Sequence, residues 1–368
     1  MIRHPLLATA GSAALLATIV AHGSAQAPAA LLYVTNQSGA SVTVIDQNRL
    51  VVDTTIDLTT LGFTANAKPH HVTVEPDGSF WYVTLIGDGK VLKFDRGNHL
   101  VGQVSMETPG LVMLDPVHDS LYVGRSMTAT NPPRSMGVIA RKSFTLVDEQ
   151  EIQIPRPHAL AATRDGKWVH IGSLGENRFA SVETATGHVL FSPLPGEVFR
   201  SLVQFTVSPD GKTMIAGGEG SNTVLVFDLT RAPPLVPVKE FAVGAKPWDP
   251  VFSPDGKRAY FSLFAGNSVV EVDLAAGKVV RTFGDGLVNP YDMIMRHDGK
   301  YLFVVNQNLP TPLKPGQSAH DNMPGMAGTA APAPSNGWLA VIDVKSGKVI
   351  TTLPLGRAPS GMGAAGAR

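Results

Sequence analysis

Histidine and aspartate recur near the start of a segment that repeats along the chain. The copy at residues 68–78 reads Lys-Pro-His-His-Val-Thr-Val-Glu-Pro-Asp-Gly, and its frame returns at residues 156–166, 246–256 and 289–299. The first proline and the closing Asp-Gly pair are kept in all four copies, whereas the two residues after the proline vary. The variable residues with titratable side chains are His70, His71, His158, Asp249 and Asp292.

Imidazole and carboxylate groups that meet in one place support two kinds of chemistry. Both are ligands for Zn, Cu and Fe, so the five side chains together form a candidate metal site. They also suit acid–base catalysis, for which the candidates are His70, His158, Asp249, Asp292 and the nearby Arg200. The structural alternative is that these groups only bond to exposed backbone N–H groups or to channel water.

A second candidate lies in residues 309–336, a stretch rich in Pro, Gly, Ala and Ser that we expect to be a flexible insertion. It places His320, Met323 and Met326 at three-residue spacing. Thioethers and imidazole suit Cu(I). The alternative is a surface insertion in which the methionines have no role.

Composition and motifs exclude several classes of function. The chain has no cysteine, which excludes disulfides, thiolate zinc sites, a covalently attached c-type haem and a cysteine nucleophile. The 30 basic residues balance the 30 acidic ones, so a nucleic-acid partner is not expected. Nucleophile-elbow, phosphate-loop and zinc-protease motifs do not occur in the sequence.

The N-terminus has the features of a secretory signal peptide. A basic start at Arg3 precedes an apolar stretch at residues 6–20, and Ala-Gln-Ala at residues 25–27 fits the cleavage pattern. We therefore expect residues 1–27 to be removed and the protein to be periplasmic or secreted. The apolar stretch is too short for a convincing membrane span, and we expect none.

The repeat spacing indicates the elements that carry these side chains. Asp-Gly turn marks recur at gaps of 88, 45, 45 and 43 residues, and a degenerate copy at residues 116–119 divides the first gap. A period of about 44 residues with strand-like content is typical of a propeller blade. Alternating apolar residues and Gly/Asn punctuation indicate antiparallel strands throughout. The Asp-Gly aspartates are Asp77, Asp165, Asp210, Asp255 and Asp298.

The repeats predict an all-β, seven-bladed β-propeller that occupies residues 28–368 as a single domain. The mature chain begins with a second strand at residues 32–36, and no first strand precedes it. The segment at residues 357–362 has the spacing of the missing inner strand. We therefore expect the C-terminus to complete the N-terminal blade and close the ring, which removes free sheet edges.

The motif Tyr-Val-Thr-Asn at residues 33–36, followed by the strand at 42–46, resembles the signature of YVTN-type β-propeller repeat proteins. Weaker copies lie at residues 82–84, 122–124 and 303–306. The resemblance covers essentially all of the mature chain and implies a WD40-like architecture. Related propellers include surface-layer proteins, lactonases and the cytochrome d1-like propeller parts of nitrite and nitrous oxide reductases. The resemblance therefore implies an architecture and leaves the activity open.

We expect an exported binding module that recognises a partner protein, small ligand or metal at the channel-mouth loops of one propeller face. The alternative is a metal-dependent or acid–base enzyme, either lactonase-like or associated with an oxidoreductase, that uses the His/Asp cluster. Its cofactor would be a Zn, Cu or Fe ion.

Overall fold

The computed structural model of the chain describes residues 30–126, 131–309 and 335–365. These residues form seven antiparallel sheets of four strands each, arranged in a ring. The predicted all-β, seven-bladed propeller is therefore confirmed. Among the described residues, no helix is both long and apolar enough to cross a membrane.

The first four blades follow the chain order, except that blade 1 borrows its inner strand from the C-terminus. Blade 1 comprises β1 Leu31–Asn36, β2 Ser41–Asp46, β3 Val51–Asp57 and the C-terminal Pro359–Ala364. Blade 2 comprises β4 Pro69–Val74, β5 Phe80–Leu85, β6 Lys90–Asp95 and β7 Leu100–Ser105. Blade 3 comprises β8 Pro109–Leu114, β9 Ser120–Arg125, β10 Ser135–Ala140 and β11 Thr145–Glu151. Blade 4 comprises β12 Pro157–Ala162, β13 Trp168–Ser173, β14 Arg178–Glu183 and β15 Val189–Pro193.

The last three blades complete the ring, and two short 3-10 helices lie in blade 1 at Gln37–Gly39 and Leu58–Leu61. Blade 5 comprises β16 Leu202–Val207, β17 Thr213–Gly218, β18 Thr223–Asp228 and β19 Pro237–Ala242. Blade 6 comprises β20 Pro247–Phe252, β21 Arg258–Leu263, β22 Ser268–Asp273 and β23 Lys278–Phe283. Blade 7 comprises β24 Pro290–Met295, β25 Tyr301–Asn306, β26 Asn336–Asp343 and β27 Lys348–Arg357, and the chain ends with β28 Pro359–Ala364 of blade 1.

The ring closes through the pairing that the sequence predicts. Strand β28 lies antiparallel to β1, with Leu32 opposite Ala364 and Val34 opposite Met362. The C-terminal strand is thus the inner strand of the N-terminal blade. Because both termini are held in one sheet, blade 1 has no unpaired inner edge.

Each inner strand is bounded by two fixed backbone geometries. The glycines of the five Asp-Gly turns all have φ between +67° and +73°, a conformation that glycine adopts without the steric cost of a side chain. The residue before each inner strand is also left-handed, with φ between +42° and +57°. These residues are Lys68, Thr108, Arg156, Ser201, Lys246, Asn289 and Ala358.

The hydrophobic core is divided among the blade boundaries. Seven clusters of buried side chains are formed by the described residues. Six of them each join two neighbouring blades, and the seventh spans blade 1 and blades 4 to 7. Between blades 1 and 2, Tyr33 stacks on Trp81 at 4.5 Å between ring centroids, and Trp81 stacks on Phe94 at 4.1 Å. Neighbouring blades therefore bury each other's faces, so that stability comes from closing the whole ring.

The threonine of the Tyr-Val-Thr-Asn motif connects neighbouring blades. Thr35 Oγ1 donates to the carbonyl of His70 in the next blade at 3.0 Å, and Thr84 Oγ1 donates to the carbonyl of Gly110 at 2.7 Å. Ser262 makes the equivalent bond to the carbonyl of Tyr291 at 2.8 Å. These bonds hold the inner strands of blades 2, 3 and 7 at their starts.

Burial of His170 should make the free energy of unfolding fall at acidic pH. Burial lowers its pKa from 6.5 to about 4, and its Nδ1 lies 2.9 Å from Ser181 Oγ. Between these two pH values the unfolded chain binds more protons, so stability is full above pH 6.5 and declines as the pH falls towards 4. We expect His170 to account for about 3 kcal/mol of that loss.

Urea unfolding of His170→Gln across this range should show a shallower pH dependence than the native chain. The exposed His297→Gln is the control, and equal slopes in all three proteins would refute the assignment.

Candidate functional site

The five titratable side chains at the inner-strand starts do come together. They line one cavity of about 20 Å³ at the end of the channel where the inner strands begin, here called the Pro end. None of the five is more than 4% exposed. A cavity of this size holds about one water molecule. His71 also lines a larger cavity of about 260 Å³. The five are His70, His71, His158, Asp249 and Asp292, and the other lining residues are Leu111, Val203, Gln204, Trp248 and Tyr291.

A bulge at the start of every inner strand explains why polar side chains gather there. In all seven, the pairing with the second strand skips a residue just after the first position, as between Pro290 and Met293. A bulge leaves part of the local ladder unpaired. The N–H groups that it frees must find partners elsewhere, because a buried backbone donor without one is costly.

The aspartates supply those partners from the preceding blade. Asp249 Oδ2 of blade 6 accepts a hydrogen bond from the N–H of Met293 in blade 7 at 2.8 Å. Asp292 Oδ2 of blade 7 accepts one from the N–H of Met362 in blade 1 at 2.7 Å. The structural alternative considered for these two residues therefore describes their observed contacts.

His71 takes the same place between blades 2 and 3. Its Nδ1 lies 3.1 Å from the carbonyl oxygen of Val112 and 3.4 Å from the Val112 nitrogen, and the ring tautomer decides which of these is a hydrogen bond. On the other side of the ring, Nε2 lies 3.8 Å from Asp292 Oδ2. His71 thus spans from blade 3 to blade 7 past the intervening blade 1. A Cβ on Gly361 would lie 2.9 Å from the His71 ring and 2.4 Å from the His70 carbonyl, so a glycine is needed there.

Blades 1, 3 and 4 have Gly361, Leu111 and Ala159 at this position and supply no side-chain acceptor, and the series is also interrupted between blades 5 and 6. Gln204 of blade 5 stands in the position of Asp249 and Asp292, but the corresponding residue of blade 6 is Pro250, which has no N–H. Gln204 Oε1 is buried and has no hydrogen-bond partner, and it lines the small cavity. The Gln204 amide therefore has no N–H group of the next inner strand at the position from which Asp249 and Asp292 accept.

The two remaining histidines and the aromatic residues fill the rest of the Pro end. The rings of His70 and His158 meet edge to face at 6.0 Å, and His158 Nδ1 lies 3.3 Å from the Arg125 carbonyl. Trp248 packs on Tyr291 at 5.2 Å between centroids. Burial, followed by the charge of Asp292, raises the pKa of Tyr291. The Tyr291 phenol is therefore neutral. The packed rings leave little space in the cluster.

The described residues include no group of three or more His, Asp or Glu side chains arranged to hold a metal ion. Arg200, the fifth catalytic candidate, is not among the residues that line the cavity. It pairs instead with Glu240, with Arg200 Nη2 3.0 Å from Glu240 Oε2. His320, Met323 and Met326 lie outside the described residues.

Two much larger cavities lie at the other end of the channel, here called the Asp-Gly end, where the inner strands finish. They have volumes of about 380 Å³ and 260 Å³. Arg164 of blade 4 and Ile294 of blade 7 line both, so these two side chains stand where the cavities meet. Neither residue is among the candidate site residues that the sequence indicates.

The repeat pattern of the sequence could have identified Arg164 as a candidate. It precedes the Asp-Gly pair of blade 4, where blades 2, 5 and 6 have Pro76, Pro209 and Pro254. Its Nε and Nη2 donate to the carbonyls of Ser208 and Val207 in blade 5, each at 3.4 Å. A residue that departs from the repeat at the Asp-Gly end therefore indicates a cavity-lining side chain, as the variable residues do at the Pro end.

The contacts at the Pro end predict opposite effects for two buried polar residues. Asp292→Ala leaves the buried N–H of Met362 without its acceptor, and we expect it to lower the free energy of unfolding by about 2–3 kcal/mol. Gln204→Leu removes an acceptor that has no partner, and we expect a change below about 1 kcal/mol or a gain. Denaturant unfolding of both variants checks this. A Gln204→Leu loss as large as that of Asp292→Ala would contradict the broken series.

The comparisons with known proteins define the architecture and leave the family open. No family profile matches the sequence, and no curated protein matches it. In solved structures 1549 chains do match, so the architecture is common and does not select a function. A hydrazine synthase from Kuenenia stuttgartiensis is similar with a TM-score of 0.56 and 22% identity, over 65% of this chain and 73% of that one. A functionally unknown protein from Desulfotomaculum acetoxidans DSM 771 is similar with a TM-score of 0.69 and 15% identity, over 91% and 98%. At these identities the likeness establishes the propeller fold alone.

Proposed function

We propose that this protein is a non-catalytic binding module that takes a small organic ligand into the Asp-Gly end of its central channel. The observation that carries the proposal is the contrast in size between the two ends. The larger cavity at the Asp-Gly end measures about 380 Å³, against about 20 Å³ at the Pro end. Ligand sites in proteins typically measure about 300–1,000 Å³.

The lining of the larger cavity supports a ligand that enters from solvent. Pro209, Pro254 and His297 line it and are exposed, which gives the cavity an open rim. Val251 and Phe252 are buried and provide an apolar wall. Apolar walls with a few placed polar groups are the usual composition of small-molecule sites.

The scaffold favours a pocket that is formed before the ligand arrives. The inner strands of blades 5, 6 and 7 contribute to the wall of the larger cavity, and each strand is fixed by its blade and by its neighbours. A rigid site binds with a smaller loss of conformational entropy than a mobile one. The blades therefore supply the pre-organisation that a binding module needs.

We also propose that the protein is an exported member of the YVTN-type propellers. The support is the sequence of residues 1–27, which lie outside the described residues, and the Tyr-Val-Thr-Asn motif at residues 33–36. Expression of the full chain in a Gram-negative host should yield a periplasmic protein that begins at residue 28. Intact-mass measurement of periplasmic and cytoplasmic fractions checks this, and a full-length chain confined to the cytoplasm would reject export.

Filling the larger cavity should weaken ligand binding. Met295 lines this cavity and is half-buried. A library of small organic compounds, screened by ligand-observed NMR against the native protein, should give ligands that bind Met295→Trp at least about tenfold more weakly. Val101→Trp, at a position 51% exposed on the outer strand β7, is the matched control. Absence of any ligand, or equal binding to Met295→Trp, would reject the proposed site.

A further inference from the structure

We propose that the ligand of the Asp-Gly end is an organic carboxylate with an apolar body, anchored by Arg164 where the two cavities meet. This inference rests on the proposed function and adds the chemical class of the ligand. It follows from how Arg164 is held, from the charges of the larger cavity and from the apolar walls beside the guanidinium.

Arg164 is fixed in position before any ligand binds. Its stem lies over the Asp-Gly turn of blade 5, where a Cβ on Gly211 would be 3.0 Å from Arg164 Cγ. The bonds to the carbonyls of Val207 and Ser208 orient the guanidinium along the channel wall. A guanidinium that is already held in place loses less entropy when it binds a carboxylate than a free side chain would.

The charges that line the larger cavity favour an anion. Arg164, Arg296 and His297 line it, and the described lining residues include no Asp or Glu. Burial lowers the pKa of Arg164, which means that its charged form loses hydration at this site. A carboxylate against the guanidinium would replace that hydration with a charge-assisted hydrogen bond.

Three arginines line the two cavities, and Arg164 is the one that lines both. Arg296 is held by Asp298, with Nη2 2.6 Å from Oδ2, and it stacks on Tyr301. On the smaller cavity, Arg141 is held by Glu75, with Nη1 3.0 Å from Oε2. The anionic part of the ligand is assigned to Arg164, because its side chain stands where the two cavities meet.

The walls beside Arg164 fit an apolar body. Val251, Phe252 and Met295 line the larger cavity, together with Ile294 at the junction of the two cavities. Methionine is unbranched and adapts to ligands of different shape. The site thus offers one charged group and an apolar surface, which is the complement of an aliphatic or aromatic carboxylate.

Pairs of compounds that differ only in charge test the inference. Octanoate and octanamide, and benzoate and benzamide, should be titrated calorimetrically into the native protein. We expect each carboxylate to bind at least about tenfold more tightly than its amide, because a hydrogen bond to a charged group contributes more than a neutral one. Arg164→Gln should remove this preference, and Arg164→Lys should restore part of it. Arg96→Gln is the matched control, since Arg96 donates to the carbonyls of Asp77 and Gly78 at another Asp-Gly turn.

The outcomes separate this inference from the proposed function. Equal binding of carboxylates and amides, both weakened by Met295→Trp, would reject the carboxylate and leave the binding site in place. Inorganic phosphate that binds as tightly as octanoate would also reject the assignment. A third outcome is that none of these four compounds binds, while a compound of other chemistry binds the native protein and not Met295→Trp. That outcome would reject the carboxylate alone. Failure of every compound would reject both proposals.

Discussion

The structure depends on how each inner strand is joined to the blade before it. The bulge at the start of each inner strand frees backbone groups that its own sheet cannot pair, and these lie inside a narrow ring where water is scarce. Thr35 and Thr84 bond to carbonyls of the next blade, and Asp249 and Asp292 accept N–H groups of the next blade. The same small set of polar side chains thus satisfies the backbone and fixes the order of the blades.

This requirement explains why titratable residues gather at the Pro end. Carboxylate, imidazole and hydroxyl groups are recruited there because each can accept or donate a backbone bond. Once those bonds are made, only about 20 Å³ of space remains, under the packed rings of Trp248 and Tyr291. At the Asp-Gly end the inner strands finish in exposed turns, and the channel widens into two cavities.

The common architecture makes local departures from the repeat more informative than the repeat itself. Propellers serve many unrelated functions, so the fold alone does not define the activity. Pro250 removes one N–H from the series at the Pro end and leaves Gln204 Oε1 facing the cavity. Arg164 replaces a framing proline at the Asp-Gly end and places a guanidinium between two cavities. Each departure changes one contact of the frame.

The sequence by itself determined the number of blades, their strand order and the closure of the ring, because these follow from a repeated pattern of turns and alternating residues. It also predicted that His70, His71, His158, Asp249 and Asp292 would meet, since equivalent positions of equivalent repeats lie at one end of the ring. Only the tertiary structure decided what these side chains contact. The partners of Asp249 and Asp292 belong to the next blade and become available only because of a bulge that leaves no mark in the residue pattern. The width of the channel at each end likewise depends on side chains from all seven inner strands, so it cannot be read from any single repeat.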